Sequence, residues 1–145
     1  MVKLLSIDPG KYKCGLVFAE TCEQKVYKAI VLKSEILEDY LSNLNSDEDI
    51  SKIIIGNGTS STDIKKKLDF LKKEIINFEE KNTTYRAKER YFELFPISGL
   101  KFLIPREIFI LNKNLDAISA LIILEDYCKI KFTLDQNLDF KTWLK

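Results

Sequence analysis

The chain has 145 residues, with 23 Lys and Arg against 22 Asp and Glu, which gives a formal net charge of +1. Hydrophobic residues make up 46% and charged residues 31% of the chain, a balance typical of a globular domain, and we assign residues 1–145 to one such domain. The absence of histidine excludes hydrolases with a histidine base, Cys/His zinc fingers and histidine-ligated haem. Any catalytic site must therefore use carboxylates, lysines, hydroxyls or a bound metal.

The cysteines and the apolar runs bear on the cellular compartment. Cys14, Cys22 and Cys128 are too few and too widely spaced for a disulfide framework or a thiolate metal site, so we interpret them as free thiols. The first apolar stretch, residues 2–7, is too short for a secretory segment, and no run approaches the ~18 apolar residues of a membrane span. We therefore expect a cytoplasmic protein without a membrane partner.

The first third of the chain predicts three strands. Residues 2–8 are mostly apolar and end at the Pro9-Gly10 turn, and residues 13–20 and 24–33 follow after short connections. Short turns between successive strands favour an antiparallel meander.

The rest of the chain alternates between helical and strand patterns. Apolar residues recur at helical spacing after Ser34, a favourable N-cap, and residues 52–56 are apolar enough for a central strand. The pattern then predicts an amphipathic helix over residues 63–74 and a fifth strand over 74–80. A capped helix over 83–95, a loop over 96–114 and a deeply buried last helix over 116–129 follow. The order β-β-β-α-β-α-β-α predicts an α/β protein with a mixed five-stranded sheet flanked by helices, which matches the ribonuclease-H-like fold.

Three acidic residues stand where this architecture would bring chain segments together. Asp8 ends the first strand, Glu80 follows Glu79 at the end of the fifth, and Asp116 opens the last helix. Carboxylates held close together repel one another, and a divalent cation relieves that repulsion. Mg²⁺ and Mn²⁺ prefer oxygen ligands and can activate water at a phosphate. Each acid alone also has an ordinary explanation as a turn, strand-end or helix-start residue, so only their joint placement favours a metal site.

Four segments around these acids resemble one nuclease family. They are LLSIDPGKYKCGLVFAE, IIIGNGTSS, EEKNTTYRAKERYF and LDAISALIILEDY, which cover much of residues 4–127. In this order they resemble the YqgF/RuvX-like family of RuvC-type ribonuclease-H-like nucleases. The third segment is similar to its Asp-Glu-Arg/Lys-x-Thr-Thr-x-x-Ala-Arg signature, and the fourth to its closing helix.

The resemblance implies a metal-dependent endonuclease that uses Mg²⁺ or Mn²⁺. Carried over by position, Asp8, Glu80 and Asp116 would be both catalytic residues and metal ligands. The substrate would be structured RNA in pre-rRNA maturation or branched DNA such as a Holliday junction. The sequence departs from the family in having Glu79 for the usual Asp, a lone acid at Asp116, and Asn57 where RuvC itself has an acid.

Basic and small residues near the acids are candidates for nucleic-acid contacts. Lysines follow the first acid, and a helix start with hydroxyls and cations follows Glu80, where amides could receive phosphates. The glycine-rich turn after the fourth strand could bring backbone amides to a phosphate. A solvated helix face and an ordinary turn explain the same residues. The candidates are Lys11, Lys13, Gly56, Asn57, Gly58, Lys81, Thr83, Thr84 and Arg86.

Aromatic residues and alternative functions complete the expectations. Tyr85, Tyr91 and Phe92 could stack on bases, but their helical spacing places most of them in the core. The same scaffold could also serve as a nucleic-acid-binding module that no longer cleaves. A nucleotide-binding phosphotransfer protein of the actin and hexokinase type would need two such domains. A monomer and a homodimer both remain open, because a junction resolvase needs two sites.

Overall fold

The computed structural model describes residues 1–44, 48–58, 60–110, 115–138 and 140–143. Its strands are β1 (Lys3–Asp8), β2 (Lys13–Glu20), β3 (Lys25–Lys33), β4 (Ile50–Gly56), β5 (Glu74–Phe78), β6 (Thr133–Leu134) and β7 (Phe140–Trp143). Its helices are α1 (Leu37–Ser42), α2 (Ser61–Leu68), α3 (Thr83–Leu94), α4 (Arg106–Ile110) and α5 (Asp116–Cys128). Short 3-10 turns precede α1, follow α2 and precede α4.

All described strands belong to one mixed sheet with β1 near its centre. The strand order is β5-β4-β1-β2-β3, and both β6 and β7 pair with β3. β1, β2 and β3 form the antiparallel meander that the sequence predicts, whereas β4 runs parallel to β1 and β5 parallel to β4. The carboxyl ends of β1, β4 and β5 therefore lie at the same edge of the sheet.

Each face of the sheet is covered by helices. Leu5 and Ile7 of β1 face a core completed by α1 and α2, whereas Leu4 belongs to the core formed with α5. This division follows from the strand period of two, which places successive side chains on opposite faces. α3 packs outside α5 through the buried Ala87.

The last long helix lies deep in the structure, as its composition predicts. Every residue from Ala117 to Glu125 is buried. The first turn of α5 lies against β2, where a Cβ on Gly15 would overlap the backbone carbonyl of Asp116. This glycine therefore permits the close approach between helix and strand that fixes the position of Asp116.

Several expectations about element boundaries are wrong. The five-stranded sheet gains β6 and β7 in the described residues, because short edge strands carry too few residues for a recognisable pattern. The helix predicted to reach residue 74 ends at Leu68, and the chain turns at Lys72, which has a positive φ of 50°. Ser34 does not cap a helix, since its hydroxyl donates to the Gly10 carbonyl at 2.8 Å.

The segment predicted as a loop over residues 96–114 contains helical turns within its described part. A 3-10 turn at Gly99–Leu103 precedes α4. Leu100, Phe102 and Leu103 of this turn are largely exposed. Within the described part of the chain, no helix is both long and apolar enough to cross a membrane.

Candidate active site

The three acids occupy the ends of three elements at one edge of the sheet. Asp8 is the last residue of β1, Glu80 lies two residues beyond the end of β5, and Asp116 is the first residue of α5. Asp8 pairs across the meander with Gly15, against which the start of α5 packs. The parallel order of β1, β4 and β5 and the contact at Gly15 thus bring all three segments to this edge.

Asp8 is the acid on which the charges of both other acids act. Burial, followed by the negative charges of Glu80 and Asp116, raises the pKa of Asp8 from its usual 3.8 to about 7. Because like charges act appreciably only over short distances in a protein, the structure places Asp8 close to both other acids. At neutral pH, Asp8 is therefore divided between its protonated and ionised forms.

Glu80 is partly buried and carries one unsatisfied oxygen. Burial raises its pKa, a hydrogen bond with the Thr83 side chain lowers it, and the charge of Asp126 raises it. Its Oε2 atom is buried and has no hydrogen-bond partner among the described residues. A buried carboxylate oxygen without a partner costs free energy, and a cation or a bound hydroxyl would satisfy it. The neighbouring Glu79 is exposed.

Asp116 has a different environment at the start of α5. Burial raises its pKa, whereas the positive charge of Lys13 lowers it. Lys13 is the exposed first residue of β2. Lys13, although it lies close to Asp8 in sequence, thus lowers the pKa of Asp116 at the start of α5.

The glycine-rich turn after β4 packs directly against the acid site. A Cβ on Gly56 would lie 2.9 Å from Oε1 of Glu80 and 2.7 Å from Cδ1 of Ile123, and one on Gly58 would lie 3.0 Å from the Pro9 carbonyl oxygen. Asn57 is exposed, and its backbone N–H donates to the Phe78 carbonyl at 3.0 Å. The turn therefore lies against the segment after Asp8 and against the Glu80 side chain. Thr59, part of the same motif, lies outside the described residues.

The chemistry of these donors suits a hard divalent cation, which prefers oxygen ligands. The unsatisfied Glu80 oxygen and the repulsion at Asp8 are the features that such an ion would relieve. Nevertheless, within the described ranges no three or more Asp, Glu or Cys side chains are gathered closely enough to hold a metal ion. The donor set fits Mg²⁺ or Mn²⁺ in kind, and its side chains would have to close around the ion.

The candidate phosphate-binding side chains differ in whether they already bind a carboxylate. Lys11, Lys13 and Lys81 are exposed, and the Lys11 ammonium lies 5.2 Å from the centre of the Tyr12 ring. Arg86, in contrast, donates two hydrogen bonds to the carboxylate of Asp126, at 2.6 and 2.7 Å. A phosphate at Arg86 would have to displace this carboxylate. Thr83 is half-buried and Thr84 is exposed at the start of α3.

Sequence reasoning missed two features of this region. Asp126 is a fourth acid beside Glu80, paired with Arg86 from forty positions earlier in the chain, and no local pattern announces such a contact. Tyr12 lies exposed in the turn after Asp8. Among Tyr85, Tyr91 and Phe92, most of which helical spacing places in the core, Tyr85 is 67% exposed. Tyr91 is half-buried and packs against Phe95, with ring centroids 5.1 Å apart.

Comparison with known proteins bears on the fold. No protein-family model matches the chain, and no curated protein is similar to it in sequence. A solved structure of the fowlpox virus resolvase with its substrate Holliday junction DNA matches with a TM-score of 0.52 and 14% identity. The match covers 88% of this chain and 97% of the resolvase. Together with the strand order, this likeness confirms the ribonuclease-H-like fold that the order of elements predicts.

Proposed function

We propose that the protein is a divalent-metal-dependent endonuclease that hydrolyses phosphodiester bonds in structured RNA or branched DNA. The observation that carries the proposal is the electrostatic coupling of Asp8 to Glu80 and Asp116 at one edge of the sheet. An acid whose pKa is raised by burial and by neighbouring acids is typical of functional sites. The likeness to a resolvase solved with Holliday junction DNA supports nucleic acid as the substrate class.

Asp8, Glu80 and Asp116 would hold the ion through their carboxylate oxygens. Bound there, Mg²⁺ or Mn²⁺ would activate a water molecule and neutralise charge on the cleaved phosphate. The exposed Lys11 and Lys13 would hold the flanking backbone on the Asp8 side.

The second half of the proposed nucleic-acid contact lies on the Glu80 side. Backbone amides at the start of α3 and in the turn after β4 can donate to phosphate oxygens. Arg86 would contribute only after exchanging Asp126 for a phosphate. The residues proposed for this side are Gly56, Asn57, Gly58, Lys81, Thr83, Thr84 and Arg86.

A cleavage assay tests the proposal. Wild-type protein with millimolar Mg²⁺ or Mn²⁺ should cut end-labelled RNA hairpins, pre-rRNA fragments or four-way DNA junctions, and EDTA should stop the reaction. Asp8→Asn should abolish cleavage while the protein stays folded, whereas Asp69→Asn, an exposed acid at the far end of α2, should cut normally. Lack of cleavage of every substrate by wild-type protein, or full activity of Asp8→Asn, would refute an endonuclease that depends on these acids.

The same experiment addresses two narrower points. The relative rates on pre-rRNA fragments and on four-way junctions decide between the two substrate classes. Symmetric cleavage of a junction requires two active sites, so light scattering should then show a homodimer, whereas an RNA nuclease could act as a monomer.

A non-catalytic nucleic-acid-binding module is the second candidate. It is favoured by the lack of an assembled three-acid metal group among the described residues and by the engagement of Arg86 with Asp126. This function predicts binding of RNA hairpins or junctions that survives EDTA, together with no product in any metal. Binding that Mn²⁺ strengthens and that leads to product would contradict it.

A further inference from the structure

Two strongly exposed tyrosines flank the acid site. Tyr12 is 74% exposed in the turn after Asp8, and Tyr85 is 67% exposed in the first turn of α3, shortly after Glu80. Large aromatic side chains usually bury most of their surface, so two open rings beside one polar site suggest a ligand with flat apolar surfaces.

The turn that carries Tyr12 is fixed in place. Ser34 donates its backbone N–H to the Tyr12 carbonyl at 2.9 Å and its hydroxyl to the Gly10 carbonyl at 2.8 Å. The Lys11 ammonium lies 5.2 Å from the centre of the Tyr12 ring, within the range of a cation–π contact. The ring is thus presented from an anchored backbone with a positive charge beside it.

The helix that carries Tyr85 is anchored as well. Arg86 binds Asp126 of α5 through two hydrogen bonds, and Ala87 is buried against the same helix. Thr83, two residues before Tyr85, shares a hydrogen bond with Glu80. Tyr85 therefore projects from a rigid segment on the Glu80 side, while Tyr12 lies on the Asp8 side.

The other tyrosines show that exposure is not a general property of this residue type here. Tyr27 and Tyr40 pack against the core on the α1 side, and Tyr127 makes an edge-on contact with Phe78 at 6.0 Å. Core packing explains these rings but leaves Tyr12 and Tyr85 without an explanation. Proteins that bind single strands combine exposed aromatic rings with basic side chains, because every base has a face on which a ring can stack.

We propose that Tyr12 and Tyr85 stack on unpaired bases on the two sides of the acid site, so that the preferred substrate has unpaired nucleotides next to the cleaved bond. The inference rests on the proposed endonuclease function and deepens it by naming the substrate class. In a continuous duplex the bases are paired and stacked on one another, and their faces are not available to a side chain. Unpaired nucleotides in an RNA loop or at a branch point are available.

Fluorescence anisotropy in EDTA tests the stacking without requiring cleavage. The probes are a labelled single strand, the fully paired duplex, and the same duplex with a short unpaired gap, each as DNA and as RNA. Wild-type protein should bind the single strand and the gapped duplex more tightly than the paired duplex. The comparison of DNA with RNA shows which nucleic acid is preferred.

The variants identify the rings responsible. Tyr12→Ala and Tyr85→Ala should each weaken binding of the gapped duplex by about 5- to 100-fold, the range for loss of one stacked base, with little change for the paired duplex. Tyr12→Phe and Tyr85→Phe keep the ring and should bind like wild type. Phe70→Ala is the matched control, because Phe70 is 44% exposed after α2, near the start of β5 and therefore at the opposite edge of the sheet.

The outcomes separate this inference from the proposed function. Wild-type preference for the paired duplex, or unchanged binding by both alanine variants, overturns the stacking even if the protein cleaves nucleic acid. Absence of any binding or cleavage by wild-type protein overturns the proposed function and the inference together. Selective loss of gapped-duplex binding in the alanine variants, with normal melting temperatures, supports the stacking.

Discussion

Replacement of Asp8 by asparagine should stabilise the protein at neutral and alkaline pH when no divalent ion is present. Burial and the charges of Glu80 and Asp116 raise the pKa of Asp8 from 3.8 to about 7. Between these two values the folded protein binds a proton that the unfolded chain has released. The free energy of unfolding therefore falls as pH rises from about 4 to about 7, and it no longer changes above that range.

The size of the effect follows from the pKa values. Because a change of one in pKa corresponds to about 1.36 kcal/mol, the difference between 3.8 and about 7 corresponds to at most about 4 kcal/mol. Asp8 keeps some contact with solvent, which reduces both the cost of burying its charge and the repulsion, so we expect a loss of about 1–4 kcal/mol in the wild-type protein. Asparagine has nearly the same shape and no charge, so the variant should lack most of this loss.

Urea unfolding followed by circular dichroism measures the effect. With EDTA present, the wild-type midpoint should be lower at about pH 8 than at about pH 5, and Asp8→Asn should exceed wild type at the higher pH. Asp69→Asn serves as the control, because this exposed residue lies away from the acids and should follow the wild-type curve. An Asp8→Asn protein less stable than wild type at about pH 8 would show that the carboxylate is compensated by contacts and not strained by repulsion.

Three further predictions concern the ion and the packing around it. Millimolar Mn²⁺ at about pH 8 should raise the wild-type free energy of unfolding, by about 2.7 kcal/mol at a hundredfold excess over Kd, and should not affect Asp8→Asn in thermal melts. Gly15→Ala should cost at least about 1–3 kcal/mol in urea unfolding, because its Cβ would overlap the Asp116 carbonyl. Arg90→Met should cost about 3–5 kcal/mol by leaving the Glu125 carboxylate buried without its partner. Adding Glu125→Leu should recover part of this loss, since the Phe132 N–H then lacks its acceptor. The first prediction is contradicted if Mn²⁺ does not stabilise the wild-type protein, and the second if Gly15→Ala is as stable as wild type. The third is contradicted if the double variant is as unstable as Arg90→Met.

The elements around the main sheet could be predicted because their patterns are local. The apolar run of β1 and the uniformly apolar α5 reflect burial that each segment shows by itself. β6 and β7 could not be predicted in this way, since their pairing with β3 depends on where the chain returns after α5. A strand of two residues has no period to recognise.

The three acids could be proposed from the sequence because strand ends and helix starts are recognisable, whereas their surroundings depend on contacts between distant segments. The pairing of Arg86 with Asp126 and the contact between Gly56 and Glu80 join residues that no local pattern relates. Helical spacing places most aromatic residues of α3 in the core, yet among the described residues of α3 it is Ala87 that is buried against α5. The spacing predicts that one face of the helix is buried, and the contacts with the neighbouring helix determine which residues lie on that face.

The frame around the acids explains how the fold tolerates them. Arg90 and Glu125 are only 11% and 9% exposed, and they join α3 to α5 through hydrogen bonds of 3.2 and 2.7 Å. Glu125 also accepts the Phe132 N–H at 3.0 Å, which ties the chain beyond α5 to the same network. These groups satisfy one another, whereas repulsion remains at Asp8 and between Glu80 and Asp126. Carboxylates that weaken the free protein beside the paired Arg90 and Glu125 support the proposed binding of a divalent cation to the folded state.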